Sequence, residues 1–474
     1  FNSFHFLWFY GIVTVLFFSI PSIYRNLLLL LSSYFFYMIW EPAYGFLIAF
    51  STAISFYTAL AISKRPFHKR KKGIAVCLII NLSILFFFKY FNFFNWNFRF
   101  IFNYFGFNYP IPDLLEIVLP VGISFYTFET ISYILDVYYD RRPPEKNFGT
   151  YALYISFFPK LLAGPIEKST SLLVQLNTKT TFNSSRIIEG LRRMLWGFFK
   201  KIVIADRLSQ LINPVYAHPE DHSGIFVLLS CYLFAFQIYC DFSGYTDIAI
   251  GTSKVLGYDI VENFEHPYIS KNVGEFWRRW HLSLSNWLRD YLFTPIVFKR
   301  KNWGNYSLIY ATFITFILCG LWHGAKWTFI IFGFLQGVVI SFELLTKKTR
   351  KKWSEILPEK AYNLLSILLT FHFIVFCFIF FRAESVNNAI QILERISHLS
   401  FNTGFISEFS KFGILGVVIV AFSLLFMFFI EYKYKPTLEG LNDNRLNYTF
   451  NIFTFACLLI LGYFHPQIFI YFNF

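Results

Sequence analysis

The chain has 474 residues, 56% of them hydrophobic and only 15% charged, with a mean hydropathy of +0.48. That balance excludes a water-soluble globular protein and points to an integral membrane protein. The net charge of +14 gathers in short stretches between apolar runs, such as residues 64–72 (KRPFHKRKK) and 347–352 (KKTRKK). These read as cytoplasmic loops facing anionic lipid under the positive-inside bias, and no zinc, RRM or helix-turn-helix signature argues for nucleic acid.

Runs able to cross a hydrocarbon core of roughly 30 Å fall near residues 4–20, 26–40, 43–62, 74–94, 114–138, 223–250, 306–322, 325–345, 361–381, 411–430 and 448–471. They predict an all-α polytopic protein with about eleven spans, the first a retained span rather than a cleaved signal peptide. If the loop at 64–72 is cytoplasmic, the three spans before it place the N-terminus outside. The two after it return Arg141, Arg142 and Lys146 to the cytoplasm. Residues 151–166, broken by Pro159, Gly164 and Pro165, read as a re-entrant segment, because broken backbone survives at membrane depth only where protein or water satisfies it. Residues 186–211, with Arg192, Arg193, Lys200 and Lys201, read as a basic interfacial helix. Residues 262–301 are too charged to span and too aromatic for a free loop, so they lie in or dip into the membrane. With no internal repeat or flexible linker, one membrane domain is expected over 1–474: N-terminal spans in 1–146, a core in 147–345 and C-terminal spans in 346–474. The six cysteines sit in or beside apolar runs without CxxC spacing, as buried free thiols do.

Two histidines stand in aromatic settings: His281 in FWRRWHLSLSNW and His323 in CGLWHGAKW. An ionisable ring near bilayer depth is costly and marks a pathway or cavity. At helical spacing Trp277, Trp280 and His281 share one face and Arg278 and Arg279 turn away, which fits either a ligand face or an aromatic belt with snorkelling arginines. His323 closes an apolar run and lies between Gly320 and Gly324, with Gly333 and Gly337 forming a second GxxxG. Close helix packing explains the glycines but not the imidazole. In IYCDFSGYTDIAIG, Asp241 and Asp247 accompany Ser243, Gly244, Tyr245 and Thr246. Buried carboxylates must be paired or protonated, so the two aspartates either orient a histidine, hold a coupling cation, or pair with Arg278, Arg279 or Arg289. The remaining histidines lack ligand spacing, and no metal is expected.

Taken together, LPVGISFYTF (119–128), FFPKLLAGPI (157–166), QIYCDFSGYTDIAIG (237–251), PYIS with EFWRRWHLSLSNWLRDYLFTPI (267–296), GLWHGAKWTF (320–329) and the closing FIYFNF (469–474) resemble the membrane-bound O-acyltransferase superfamily. The likeness is to its bacterial branch that O-acetylates alginate or peptidoglycan. The resemblance implies a helical body with a central pore or funnel, His323 as the essential catalytic residue and His281 as a second polar position. It also implies an acyl thioester donor, acetyl-CoA, and a partner SGNH-type transferase outside the bacterial plasma (inner) membrane that passes acetyl to an envelope polysaccharide. Trp277, Trp280, Trp322, Arg278, Arg279, Asp241, Ser243 and Tyr245 are the expected ligand-binding set, the arginines toward CoA phosphates, and His281 or an indole N–H toward the oxyanion. His323 would act as a general base or be transiently acylated. Glu265, His266 and the IVFKRKN stretch after Pro295 depart from the family's usual pattern. Lipid, protein or teichoic-acid acyl transfer and a polytopic transporter remain alternatives, though a transporter should show inverted repeats.

Overall fold

The structure is a computed structural model that describes residues 3–39, 41–112, 119–399, 408, 413–434, 438, 444–464 and 469–470. The expected span ends at 40, 114–118, 411–412, 465–468 and 471, together with His465 and the closing residues 471–474, lie outside that set. Among the described residues there are helices and no strands, apart from one isolated antiparallel bridge between Phe264 and Trp280.

A helix stands at each of the eleven apolar runs. Seven of these, among the described residues, are long and apolar enough to cross a membrane: Pro42–Ser63, Phe67–Tyr104, Gly224–Val255, Asn305–His323, Trp327–Leu345, Glu359–Arg382 and Ile414–Tyr434. Phe4–Ser19 and Asn447–Leu461 are shorter apolar helices. Ser22–Met38 and Ile123–Tyr138, of 17 and 16 residues, also fall below the usual spanning length. Large apolar side chains remain exposed along the long helices, among them Phe46, Ile79, Leu345, Leu369 and Leu425. A helix that is apolar on its outward side suits hydrocarbon, which solvates such side chains as well as a protein core does.

The described residues pack as two compact units, one of Phe4–Gly190 with Thr252–Val261, the other of Leu191–Gly251 with Glu262–Phe474 and Phe1–Ser3. In the first, Pro42–Ser63 packs against Ile123–Tyr138, Lys71–Leu85 and Phe148–Ser156. The expected re-entrant stretch 151–166 falls on a pair of short helices, Phe148–Ser156 and Phe158–Leu161, buried from Thr150 onward and broken where Pro159 enters the second. Its Lys160 is ion-paired with Glu129, whose other oxygen accepts the Glu167 backbone N–H at 3.0 Å.

In the second unit, the helices Asn305–His323 and Trp327–Leu345 form a tight antiparallel hairpin. A Cβ on Gly320 would lie 2.1 Å from the Phe329 carbonyl oxygen, and one on Gly333 would lie 2.1 Å from that of Phe316. The first glycine of each GxxxG is therefore at a backbone-to-backbone contact that leaves no room for a side chain, while Gly324 and Gly337 face the rings of Phe329 and Phe313. A similar contact joins Gly197 to Gly244, where an added Cβ would come within 2.5 to 2.8 Å of the opposite carbonyl oxygen.

Residues 186–211 depart from the expected interfacial helix. They form the helix Ser184–Phe198, a π-helical segment Phe199–Ala205 and the start of the helix Asp206–Ala217. Arg193, Lys200 and Lys201 are buried rather than spread on a surface. The Gly197–Gly244 approach brings them against Gly224–Val255: Arg193 and Lys200 reach Asp247 at 2.7 and 2.6 Å, and Lys201 reaches Asp241 at 2.6 Å. Lys200 also meets Glu431 at 3.3 Å, Lys201 meets Asp206 at 2.8 Å, and Arg193 meets Glu262 at 2.7 Å. The amphipathic pattern was real, but its charged face turns toward carboxylates on distant elements. In low dielectric that pairing is what makes buried charge tolerable.

Candidate active site

Residues 262–301 position the first histidine. The helix Val273–Trp277 is capped by the Asn272 side chain, which accepts the Glu275 N–H, and its Val273 and Gly274 N–H groups are taken by the Glu343 carboxylate at 2.6 and 3.1 Å. The chain then leaves helical geometry. Phe264 and Trp280 bridge, Glu265 N–H donates to the Arg279 carbonyl at 2.9 Å, and Leu282 N–H donates to the Asn263 carbonyl at 3.0 Å. His281 adopts the left-handed conformation with φ 48°, and a new helix starts at Leu282. The single helical face expected for Trp277, Trp280 and His281 is thus not formed, because helix periodicity carries no sign of a left-handed break. A non-glycine residue held there costs free energy that its surroundings must offset, and such residues gather at functional sites.

His281 is wholly enclosed, with Nδ1 3.1 Å from the Asn263 side-chain oxygen. Its ring stands edge-on to Phe242, centroids 4.7 Å apart, and lies 5.9 Å from Trp322. Burial drives its pKa down to about 3, so the ring is neutral throughout the physiological range. His323 is 4% exposed and ends the helix Asn305–His323, next to the hairpin bend. Its ring centroid is 4.9 Å from Trp322, 5.0 Å from Phe381, 6.2 Å from Phe332 and 6.4 Å from Phe329. Trp322 therefore lies within ring-contact range of both imidazoles. The C-terminal end of a helix carries partial negative charge, which favours a cation at the position of His323.

The other expected ligand-binding residues are placed as follows. Trp277 is buried and its Nε1–H donates to the Gln336 side-chain oxygen at 3.0 Å, while Trp280 is buried against Phe264 and Phe276. Arg278 is exposed. Arg279 is held by Glu275 at 3.0 Å and by the Glu265 carbonyl. Asp241 and Asp247, expected near Arg278, Arg279 or Arg289, are paired instead with Lys201, Lys200 and Arg193, and Asp241 also accepts the Ile470 N–H at 2.8 Å. Arg289 turns to its neighbour Asp290. Ser243 is buried, and Tyr245 stacks on Phe469 with centroids 4.6 Å apart. His266, which breaks the expected pattern, is also left-handed (φ 47°) and lines a cavity of about 430 Å³ with Tyr239, Tyr268, Phe428 and Glu431. Sequence reasoning missed Asn263, Gln336, Glu431 and Tyr239. Asn263 lies 18 residues before His281 with no periodic relation to it, and only the short antiparallel pairing brings them together.

A model of the membrane-bound O-acyltransferase family matches residues 139–381, which contain both histidines. The chain is also 36% identical over 422 residues to a "probable alginate O-acetylase" of Pseudomonas aeruginosa, covering 88% of this chain and 78% of that protein. The chain belongs to the membrane-bound O-acyltransferase family. It is an O-acyltransferase and a multi-pass membrane protein. This acyltransferase is also similar to a peptidoglycan O-acetyltransferase of Helicobacter pylori, 31% identical over 95% of this chain and 92% of the relative. A teichoic acid D-alanyltransferase of Bacillus subtilis is 30% identical over 58% of the chain and 71% of its own length.

Proposed function

We propose that the protein moves an acetyl group from a cytoplasmic thioester, acetyl-CoA, across the bacterial plasma (inner) membrane toward an envelope polysaccharide such as peptidoglycan or alginate. The observation that carries this reading is the pair of buried imidazoles that share Trp322 as a neighbour, centroids 5.9 and 4.9 Å from it. In this reading the acceptor hydroxyl oxygen attacks the thioester carbonyl carbon, His323 takes the hydroxyl proton, and the C–S bond breaks to release CoA as thiolate. The helix C-terminus steadies the resulting imidazolium. Transient acylation of His323 is the other form of the same chemistry. Among the two expected arginines, Arg278 is the one with its guanidinium exposed for CoA phosphates, since Glu275 engages Arg279.

The delivery of acetyl to an extracytoplasmic SGNH-type transferase belongs to the same proposal, supported by the polysaccharide O-acetylating relatives that align over most of the chain. D-alanyl transfer to teichoic acid is the second reading, favoured by the Bacillus relative, whose match covers a smaller part of the chain. Membranes holding the full chain, supplied with acetyl-CoA labelled in the acetyl group, test the proposal. Label should move to envelope glycan or to a partner protein with the native chain and stay on CoA with His323→Ala. Transfer of D-alanine but not acetate would replace it with the second reading.

A further inference from the structure

The hydrogen bonds around Asn263 settle which nitrogen of His281 carries the proton. Asn263 is fully buried, and its side-chain atom facing the loop accepts the Ser283 backbone N–H at 3.1 Å and the Ser283 hydroxyl at 2.9 Å. A backbone N–H only donates, so that atom is the amide oxygen, and the amide orientation is fixed by its partners. The same oxygen lies 3.1 Å from His281 Nδ1. Since an amide oxygen only accepts, Nδ1 bears the hydrogen, and in a neutral ring Nε2 then carries the lone pair. The left-handed backbone at His281 and the Leu282 N–H bond to the Asn263 carbonyl hold the ring against this acceptor from both sides.

We infer that Asn263 is a positioning residue which locks His281 as the Nδ1–H tautomer, so that His281 serves this acyltransferase as a proton acceptor through Nε2. This rests on the proposed function and leaves the oxyanion to the other donor the sequence suggests, an indole N–H, since Nε2 of that tautomer has no hydrogen to give. In the transfer step His281 Nε2 accepts a hydrogen bond from an O–H or N–H group of the reactants other than the attacking hydroxyl, which orients them while the attacking hydroxyl gives its one proton to His323. An orienting group of this kind controls up to about 10⁴ in rate when its loss lets the imidazole take the wrong tautomer.

The test uses the full chain in membranes with acetyl-CoA as donor, comparing Asn263→Ala, Asn263→Asp, His281→Ala and the double variant Asn263→Ala/His281→Ala, each checked for folding by size-exclusion profile and thermal stability. Asn263→Ala should lower the transfer rate by about tenfold or more and should add nothing in the His281→Ala background. Asn263→Asp keeps an acceptor for Nδ1–H and should restore transfer at alkaline pH. Its carboxylate also stabilises the His281 imidazolium, so the acid limb of its rate profile should lie at higher pH than that of the native chain. Losses that multiply in the double variant, or an Asn263→Asp profile that parallels the native one at the depressed rate of Asn263→Ala, would overturn the inference. Those results leave His323 untouched, whereas retained transfer by His323→Ala overturns the proposed function itself.

Discussion

Two buried regions of the same unit handle ionisable side chains in opposite ways. Around Asp247, the groups Arg193, Lys200, Lys201, Asp241, Asp206 and Glu431 are enclosed as ions, each within 3.3 Å of an opposite charge. Around Trp322, two imidazoles are enclosed among the aromatic rings of Phe242, Phe329, Phe332 and Phe381. Coulomb attraction in low dielectric holds the first region in one arrangement, and removing a single partner leaves an uncompensated charge. The second region avoids that cost at His281, whose ring is kept neutral by burial. The first region is a frame and the second is available for chemistry.

That contrast breaks if the effects of substitution do not separate. The largest expected effect is on rate: His323→Ala should lower acyl transfer by about 10²- to 10⁴-fold while the thermal transition stays close to that of the native protein. Lys200→Met should do the reverse. It takes the cation from Glu431 and leaves Asp247 with Arg193 alone, and should destabilise the fold by about 3–5 kcal/mol, seen as a lowered melting temperature in detergent and poor accumulation in membranes. If Lys200→Met keeps full stability, the frame interpretation fails. Gly333→Ala presses a methyl group onto the Phe316 carbonyl; an overpacking cost of about 1–3 kcal/mol should appear together with loss of transfer, because the strained hairpin carries His323.

Glu167 sharpens the comparison from the other unit. Burial pushes its carboxyl up to about 7, with the facing Lys160 and the Val261 N–H opposing that shift and Glu129 adding to it. The folded state therefore binds a proton that the unfolded chain, at about 4.3, has already released. Stability should be greatest below that unfolded value and decline as pH rises toward 7. Glu167→Gln should flatten the decline, and a melting temperature with the same pH slope in both proteins would refute this. The smallest effect is expected at Arg278, exposed and answerable only to the donor in the proposed function. Arg278→Ala should raise KM for acetyl-CoA up to about fivefold, as a surface charge contact of about 0.2–1 kcal/mol allows, with kcat unchanged.

Much of this architecture was legible in the residues because hydrocarbon imposes a simple rule: long apolar runs become helices, and every expected run holds one. The glycine pairs were legible for the same reason, since Gly320 and Gly333 have no other role that suits their spacing. Other features had no local signature. Hydrophobic periodicity in 186–211 reports that one face is polar but not whether water or protein meets it, so the inward lysines were misplaced. The WRRWH stretch looks helical residue by residue, yet His281 is left-handed because Asn263 and the Phe264–Trp280 bridge demand it. Of the site, the histidines stood out by their cost in an apolar setting, while the asparagine that orients one of them carried no charge and no periodicity to betray it.

The π-helical segment Phe199–Ala205 has a consequence for the gene as well as for the fold. Such a segment is an α-helix carrying one residue more than its turns require, and each α-helical residue advances the chain by about 100°. Loss of a single codon there would relax the segment into a regular helix and leave the helix after it facing as before, but the segment's own side chains, Lys200 and Lys201 among them, would shift by up to roughly that angle, away from Asp247 and Asp241. All seven of its residues are buried, so changes of spelling and of length are both costly there. Among working copies of the protein, insertions and deletions should accumulate in the loops and be missing between Phe199 and Ala205.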